Sequence, residues 1–152
     1  MIQRIQSVWF FIAIVLGVIV LVSKLGVFVS TGMDTDITLY NLFAVQDGRY
    51  DYSVVSLFII MLFAEACAIM SLFLYRQRKK QMRMCTISAV CCLMWYACLG
   101  EVWMRFTDEE LFEFQPSWSV DLLPLFMVLF LVLAYRGVKH DDELVRSADR
   151  IR

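Results

Sequence analysis

The chain has 152 residues, 61% of them hydrophobic, a mean hydropathy of +0.68 and a formal net charge of -1. Soluble domains contain about 45–50% apolar residues, and a soluble chain this small has too little interior to hide the excess. This composition excludes a soluble enzyme, a disordered chain and a nucleic-acid-binding domain. We predict a single integral membrane domain over residues 1–152.

Four apolar runs, over residues 8–28, 54–75, 84–103 and 122–138, are candidate membrane spans, since a helix needs about 20 apolar residues to cross a bilayer. The first run is longer than the apolar region of a secretory signal peptide, which has about 7–15 residues. We therefore predict that it stays in the protein as a membrane span. The pattern predicts an all-α transmembrane protein, a four-helix bundle of up-down-up-down topology.

The connections between the runs alternate in charge. The loop after the second run carries five bases and no acid: Arg76, Arg78, Lys79, Lys80 and Arg83. The connections at residues 30–52 and 106–119 are both acidic overall. Basic loops stay in the cytoplasm, so we expect both termini and the tail at residues 139–152 to be cytoplasmic. The two acidic segments should then be periplasmic.

The two periplasmic segments are either interfacial loops or a small ordered cap. Asp47 and Gly48 lie between strand-like runs, and an Asp-Gly pair in that position is typical of a β-hairpin. Residues 110–114 alternate acidic and apolar side chains, which fits a strand or a short surface helix. The bundle therefore has room for a small periplasmic β-hairpin cap, which would offer a docking surface.

Glu65 lies near the middle of the second run, among small residues that let another helix approach closely. Counting equal distances from the basic loop places it at the depth of Tyr96 in the third run. We therefore predict a candidate intramembrane polar site in which Glu65 hydrogen-bonds to Tyr96 or Ser88. No base lies at that depth, so we expect the neutral acid.

Two interpretations of Glu65 remain open: a proton or cation site, and a neutral acid that joins two helices. The absence of a second mid-membrane acid or base in the sequence favours the structural one.

Glu101, Arg105 and Lys24 fall at the outer ends of their runs, where we expect interface ion pairs that anchor the helices. The five cysteines lie in apolar runs and are interpreted as structural.

Both ends of the chain, MIQRIQSVWF and DELVRSADRIR, resemble domain-of-unknown-function family 4293. The resemblance implies a small four-span inner-membrane protein of the Bacteroidota. It carries no activity and no catalytic or binding residue over to this chain.

The sequence contains no motif of a known catalytic site, and its single histidine excludes a histidine-cluster metal site. We therefore expect no enzyme activity and no cofactor. The favoured function is an accessory or structural subunit of the bacterial inner membrane that binds other membrane proteins or itself. The alternative is a small oligomeric transporter or channel that uses Glu65 as its proton or cation site.

Overall fold

The computed structural model describes residues 2–30, 35–107 and 112–149, without the side chains of residues 2–5, 146, 148 and 149. The described chain is mostly helical, with helices α1 (Ile2–Val22), α2 (Val55–Phe73), α3 (Arg78–Thr107), α4 (Trp118–Asp121) and α5 (Leu123–Asp149). Its strands are β1 (Lys24–Ser30), β2 (Ile37–Tyr40), β3 (Ala44–Gln46), β4 (Arg49–Asp51) and β5 (Phe112–Pro116).

The four long helices pack side by side, with α1 against α2 and α5, and α3 against α2 and α5. Buried apolar side chains from all four fill the space between them, among them Phe10, Met61, Trp95, Met127 and Leu131. Three helical stretches are long and apolar enough to cross a membrane: Val55–Phe73, Arg78–Thr107 and Trp118–Val145. The described part of α1 adds a shorter apolar helix, Gln6–Val22.

The five strands form one antiparallel sheet in the order β4-β3-β2-β1-β5. The chain enters it from the end of α1, leaves it for the start of α2, and returns between α3 and α4. The sheet therefore adjoins one end of the helices. The loop from α2 to α3, the start of α1 and the end of α5 lie at the other end. We call these the sheet end and the basic end.

The predicted hairpin at Asp47 and Gly48 is confirmed. The two residues connect β3 to β4, and both have positive φ angles, of 50° and 72°. A two-residue hairpin turn of the type that matches the twist of its strands needs positive φ at both positions, which favours the Asp-Gly pair. The hairpin is only part of a larger sheet, so the all-α fold class is corrected to mostly helical with a five-stranded antiparallel sheet.

The predicted first span, residues 8–28, is wrong at its outer end. Helix α1 ends at Val22, and Lys24 begins β1, which pairs with both β2 and β5. Residues 25–29 continue the apolar run of α1, so hydropathy does not separate the strand from the helix. Pairing on both sides makes this segment a strand, which suits the β-branched Val27 and Val29. Gly26 allows the ring of Phe114 to approach the backbone of β1, where any side chain would overlap it.

The other predicted spans correspond to α2, α3 and α5, with different bounds. Helix α3 extends beyond residues 84–103 in both directions, to Arg78 and Thr107. Helix α5 runs without a break into residues 139–149, so the predicted tail helix continues the fourth span. The predicted apolar face of that tail extends to residues 148 and 151, whose side chains lie outside the described residues.

One buried polar contact fastens the sheet to the helices. The side chain of Asn41, which follows β2, is fully buried and donates from Nδ2 to the carbonyl oxygen of Val20 at 2.7 Å. Its Oδ1 accepts a hydrogen bond from the indole Nε1 of Trp95 at 2.8 Å. Val20 lies in the last turn of α1, where backbone carbonyls lack helical donors. Asn41 thus caps α1 and holds α3 beside it.

We predict that Asn41→Leu lowers the free energy of unfolding by about 2–4 kcal/mol, because it leaves the Trp95 indole and the Val20 carbonyl buried without their partner. Helix content followed by circular dichroism during equilibrium unfolding in detergent measures the loss. The matched control is Gln46→Ala, at an exposed position in β3, which should change stability by less than about 0.5 kcal/mol. Equal stability of both variants would contradict the role assigned to Asn41.

Candidate functional site

Glu65 lies in the interior of the helix assembly. It belongs to α2 and is only 3% exposed. Ala64 and Ala68 on the same helix are fully buried, and side chains this small let the neighbouring helices come close to α2. The small neighbours recognised in the sequence therefore mark a real contact between helices.

The carboxyl group of Glu65 extends towards α1 and α5. A methyl group placed on Gly17 of α1 would overlap its Oε2 atom, and would lie 3.2 Å from the Sδ atom of Met127 in α5. Gly17 therefore leaves the space that the carboxyl group occupies, with the thioether of Met127 beside it. The Sγ atom of Cys92 in α3 lies 3.6 Å from the same Met127 sulfur, so all four long helices contribute to this cluster.

The predicted hydrogen bond from Glu65 to Tyr96 or Ser88 is wrong. Both carboxyl oxygens are buried without a hydrogen-bond partner among the described residues. The Ser88 hydroxyl instead donates to the backbone carbonyl of Ala64 at 2.8 Å. The predicted depth was also wrong, by about two helical turns: the residue next to Glu65 contacts Ser88 and not Tyr96, because α3 already begins at Arg78, within the segment counted as a loop. The rotation of α2 about its own axis places the carboxyl group on the side that faces α1. This rotation cannot be read from the spacing of residues in the sequence.

Tyr96 serves a different contact, at the sheet end. Its hydroxyl donates to the carbonyl oxygen of Asp121 at 2.6 Å and accepts from the backbone N–H of Leu125 at 3.2 Å. It therefore joins α3 to the junction between α4 and α5. Asp121 was not a predicted site residue, yet both of its carboxyl oxygens are also buried, with no hydrogen-bond partner in the described part of the chain.

The geometry around Glu65 limits the chemistry available there. A carboxylate buried without a hydrogen bond or a cation carries a cost of several kcal/mol, which a proton on the group removes. The described residues contain no group of three or more His, Cys, Asp or Glu side chains placed to hold a metal ion. The site can therefore store or exchange one proton, and it packs α1 against α2.

The predicted interface ion pairs are formed in part. Arg105 donates from Nη2 to Oε1 of Glu101 at 2.6 Å, one helical turn away on α3. Both side chains are more than half exposed, and such pairs contribute little to stability. Lys24 begins β1 and makes no ion pair with Glu101. The pair fits an anchor at the end of a helix, as expected from its spacing.

The fold and the site define a mostly helical protein with three helices of membrane-spanning length, an antiparallel sheet at one end and a buried carboxyl group between the helices. The chain belongs to the family described as Domain of unknown function (DUF4293), whose sequence profile matches residues 2–151. No curated protein matches the sequence.

We predict that Gly17→Ala destabilises the protein by about 1–3 kcal/mol, because the new methyl group must displace the Glu65 carboxyl from a packed interior. The matched control is Gly100→Ala in α3, where an added methyl group meets no atom within 4 Å. That control should be neutral, or stabilising by up to about 1 kcal/mol through helix propensity. Equilibrium unfolding in detergent measures both changes.

A double-mutant cycle tests whether the loss of stability in Gly17→Ala comes from its contact with Glu65. In a Glu65→Ala background the overlapping carboxyl is gone, so adding Gly17→Ala should cost much less than it does in the unmodified protein. A penalty of the same size in both backgrounds would show that Gly17 acts independently of Glu65.

Proposed function

We propose that this chain is a four-span protein of a bacterial inner membrane, folded as an up-down-up-down four-helix bundle. Large apolar side chains on the outward faces of the helices support this proposal, because a hydrocarbon environment suits them: examples are Phe11, Phe63, Leu93 and Leu129. The apolar part of α1, Gln6–Val22, is about 25 Å long, which approaches the ~30 Å thickness of the hydrocarbon core.

We propose that the basic end faces the cytoplasm and the sheet end faces the periplasm. The loop between α2 and α3 and the first turns of α3 carry the five bases. The described sheet end carries acids at Asp36, Asp47, Asp51 and Glu113. The positive-inside rule then gives an orientation with both termini in the cytoplasm.

Within that membrane, the proposed function is a non-enzymatic accessory or structural subunit that binds another membrane protein or a second copy of itself. The observation that carries this proposal is an aromatic cluster on the sheet. The ring of Phe43 lies 5.1 Å from that of Tyr40, 5.2 Å from Tyr50 and 6.3 Å from Tyr52, measured between centroids. We call these four residues the aromatic cluster.

The aromatic cluster has the properties of a protein-binding surface. Tyr50 is 61% exposed and Tyr52 is 58% exposed, and aromatic residues are enriched at interfaces, where they often dominate the binding energy. Tyr50 also belongs to β4, an edge strand whose three residues are all exposed. An edge strand offers unpaired backbone groups to a strand of a partner.

The alternative function is a small oligomeric transporter or channel that uses Glu65. The carboxyl group of Glu65, which is buried and has no hydrogen-bond partner among the described residues, favours it, because acids inside a helix bundle are typical of proton pathways. The packing of Glu65 weighs against it, because a cation or water would have to separate the carboxyl from Gly17 and Met127. We therefore place the accessory function first.

We predict that a photo-crosslinking phenylalanine analogue at Tyr50 forms a covalent adduct of one defined mass in intact membranes. The adduct contains a second copy of this chain or one membrane-protein partner, because the exposed ring lies at the proposed interface. Adding Tyr52→Ser should reduce the yield several-fold by weakening the same surface. Gel electrophoresis and mass spectrometry of the adduct measure both results.

The same analogue at Tyr75 is the matched control, since Tyr75 is 54% exposed but lies at the basic end. It should not form the Tyr50 adduct. A monodisperse monomer in mild detergent with no adduct at Tyr50, or equal yields at both positions, would contradict the proposed interface.

A further inference from the structure

Two adjoining cavities open at the basic end of the helices. The first has a volume of about 330 Å³ and lies where α1, α2, α3 and α5 meet. The second has a volume of about 610 Å³ and extends over the loop between α2 and α3. Tyr75 and Arg78 line both of them, so the two volumes adjoin at these side chains. We call the pair the basic cavity.

The basic cavity has an excess of positive charge. Four bases line it, Arg76, Arg78, Lys79 and Lys80, against two acids, Asp141 and Asp142. Oδ2 of Asp141 accepts a hydrogen bond from the Gln6 amide at 2.7 Å, which holds this carboxylate in place without cancelling its charge. The lining thus favours an anion.

Arg78 is positioned by a backbone contact. Its Nη1 donates to the carbonyl oxygen of Asp141 at 2.9 Å, which ties the start of α3 to α5. This contact orients the guanidinium group and uses one of its five N–H donors, which leaves others for a ligand. A planar group held in this way can offer two parallel donors to a phosphate.

Gln81 adds a neutral hydrogen-bonding side chain to the first cavity. It is 5% exposed and lines the first cavity. Its backbone carbonyl accepts from the Ser71 hydroxyl, but its side-chain amide makes no hydrogen bond with any residue that the structure describes. The amide lines the open cavity, where it can donate a hydrogen bond to a bound group.

We propose that the basic cavity binds the phosphate of an anionic phospholipid headgroup. Arg78 and Gln81 donate to the phosphate oxygens, while Lys79 and Lys80 add attraction from the rim. Leu72 and Val138 give the first cavity an apolar wall suited to the upper part of an acyl chain. The inference rests on the proposed orientation, which places the basic end at the cytoplasmic headgroup layer, where basic pockets between helices bind such lipids.

Native mass spectrometry of the full-length protein tests this proposal. The purified protein is incubated in detergent with an equimolar mixture of phosphatidylglycerol and phosphatidylcholine, and the two singly bound species are compared. We expect phosphatidylglycerol to be preferred by about tenfold, because both lipids carry the phosphate but phosphatidylcholine also brings the choline cation close to the four bases. Inorganic phosphate added at the same concentration should not displace it, because the acyl chain contributes to binding.

Two variants and a matched control locate the site. Arg78→Gln should reduce the preference at least several-fold, and Gln81→Leu should reduce the fraction of protein that carries phosphatidylglycerol at least several-fold. Arg83→Gln removes an equal charge from an exposed position of α3 outside the cavity and should preserve both. Thermal unfolding of each variant without lipid shows whether it remains folded, and Gln81→Leu does not depend on the Arg78 contact to Asp141.

Three results would overturn the proposal. Equal binding of the two lipids would show that the cavity does not select an anion. If Arg83→Gln and Arg78→Gln lowered the preference for phosphatidylglycerol equally, the preference would come from diffuse surface charge and not from the cavity. Displacement by inorganic phosphate would make the ligand a free anion. Failure of the proposed membrane function would appear elsewhere, as release of the protein from membranes by alkaline washing or as loss of the Tyr50 adduct.

Discussion

The close approach of α1 to α2 at Gly17 is the constraint on which the helix assembly depends. A carboxyl group occupies the space that a side chain on Gly17 would fill, and Met127 of α5 packs beside it. Helices surrounded by lipid gain little from the hydrophobic effect on association, so their contacts depend on small residues and dense packing. Gly17, Ala64 and Ala68 supply such contacts around Glu65.

The two ends of the assembly are stabilised by different means. At the sheet end, Asn41 caps α1 and bonds to Trp95, while Tyr96 bonds to the start of α5. These buried contacts make the sheet a rigid extension of the helices, suited to present the aromatic cluster to a partner. At the basic end, fewer side chains fill the space between the helices, and a cavity with basic walls remains. Protein contacts are therefore proposed at one end and lipid contacts at the other.

The sequence predicts those features that depend on local chemistry. The hairpin follows from Asp47 and Gly48, and the helical runs from hydropathy. Strand β1 was missed because residues 25–29 continue the apolar run of α1, and its identity depends on pairing with β5, more than eighty residues away. The surroundings of Glu65 were missed for two reasons. Counting residues gave the wrong depth because α3 begins at Arg78, inside the apparent loop, and rotation about the helix axis depends on packing against α1.

A measurement of the protonation state of Glu65 in a bilayer tests most directly whether its site is packed and free of water. Infrared difference spectra of the protein and its Glu65→Gln variant, in lipid nanodiscs, isolate the carboxyl band of this residue. A dry site packed against Gly17 predicts the band of a protonated acid whose intensity is unchanged from mildly acidic to mildly alkaline pH. A band that titrates over that range would show that water reaches the centre of the helices, which contradicts a purely structural role and favours transport.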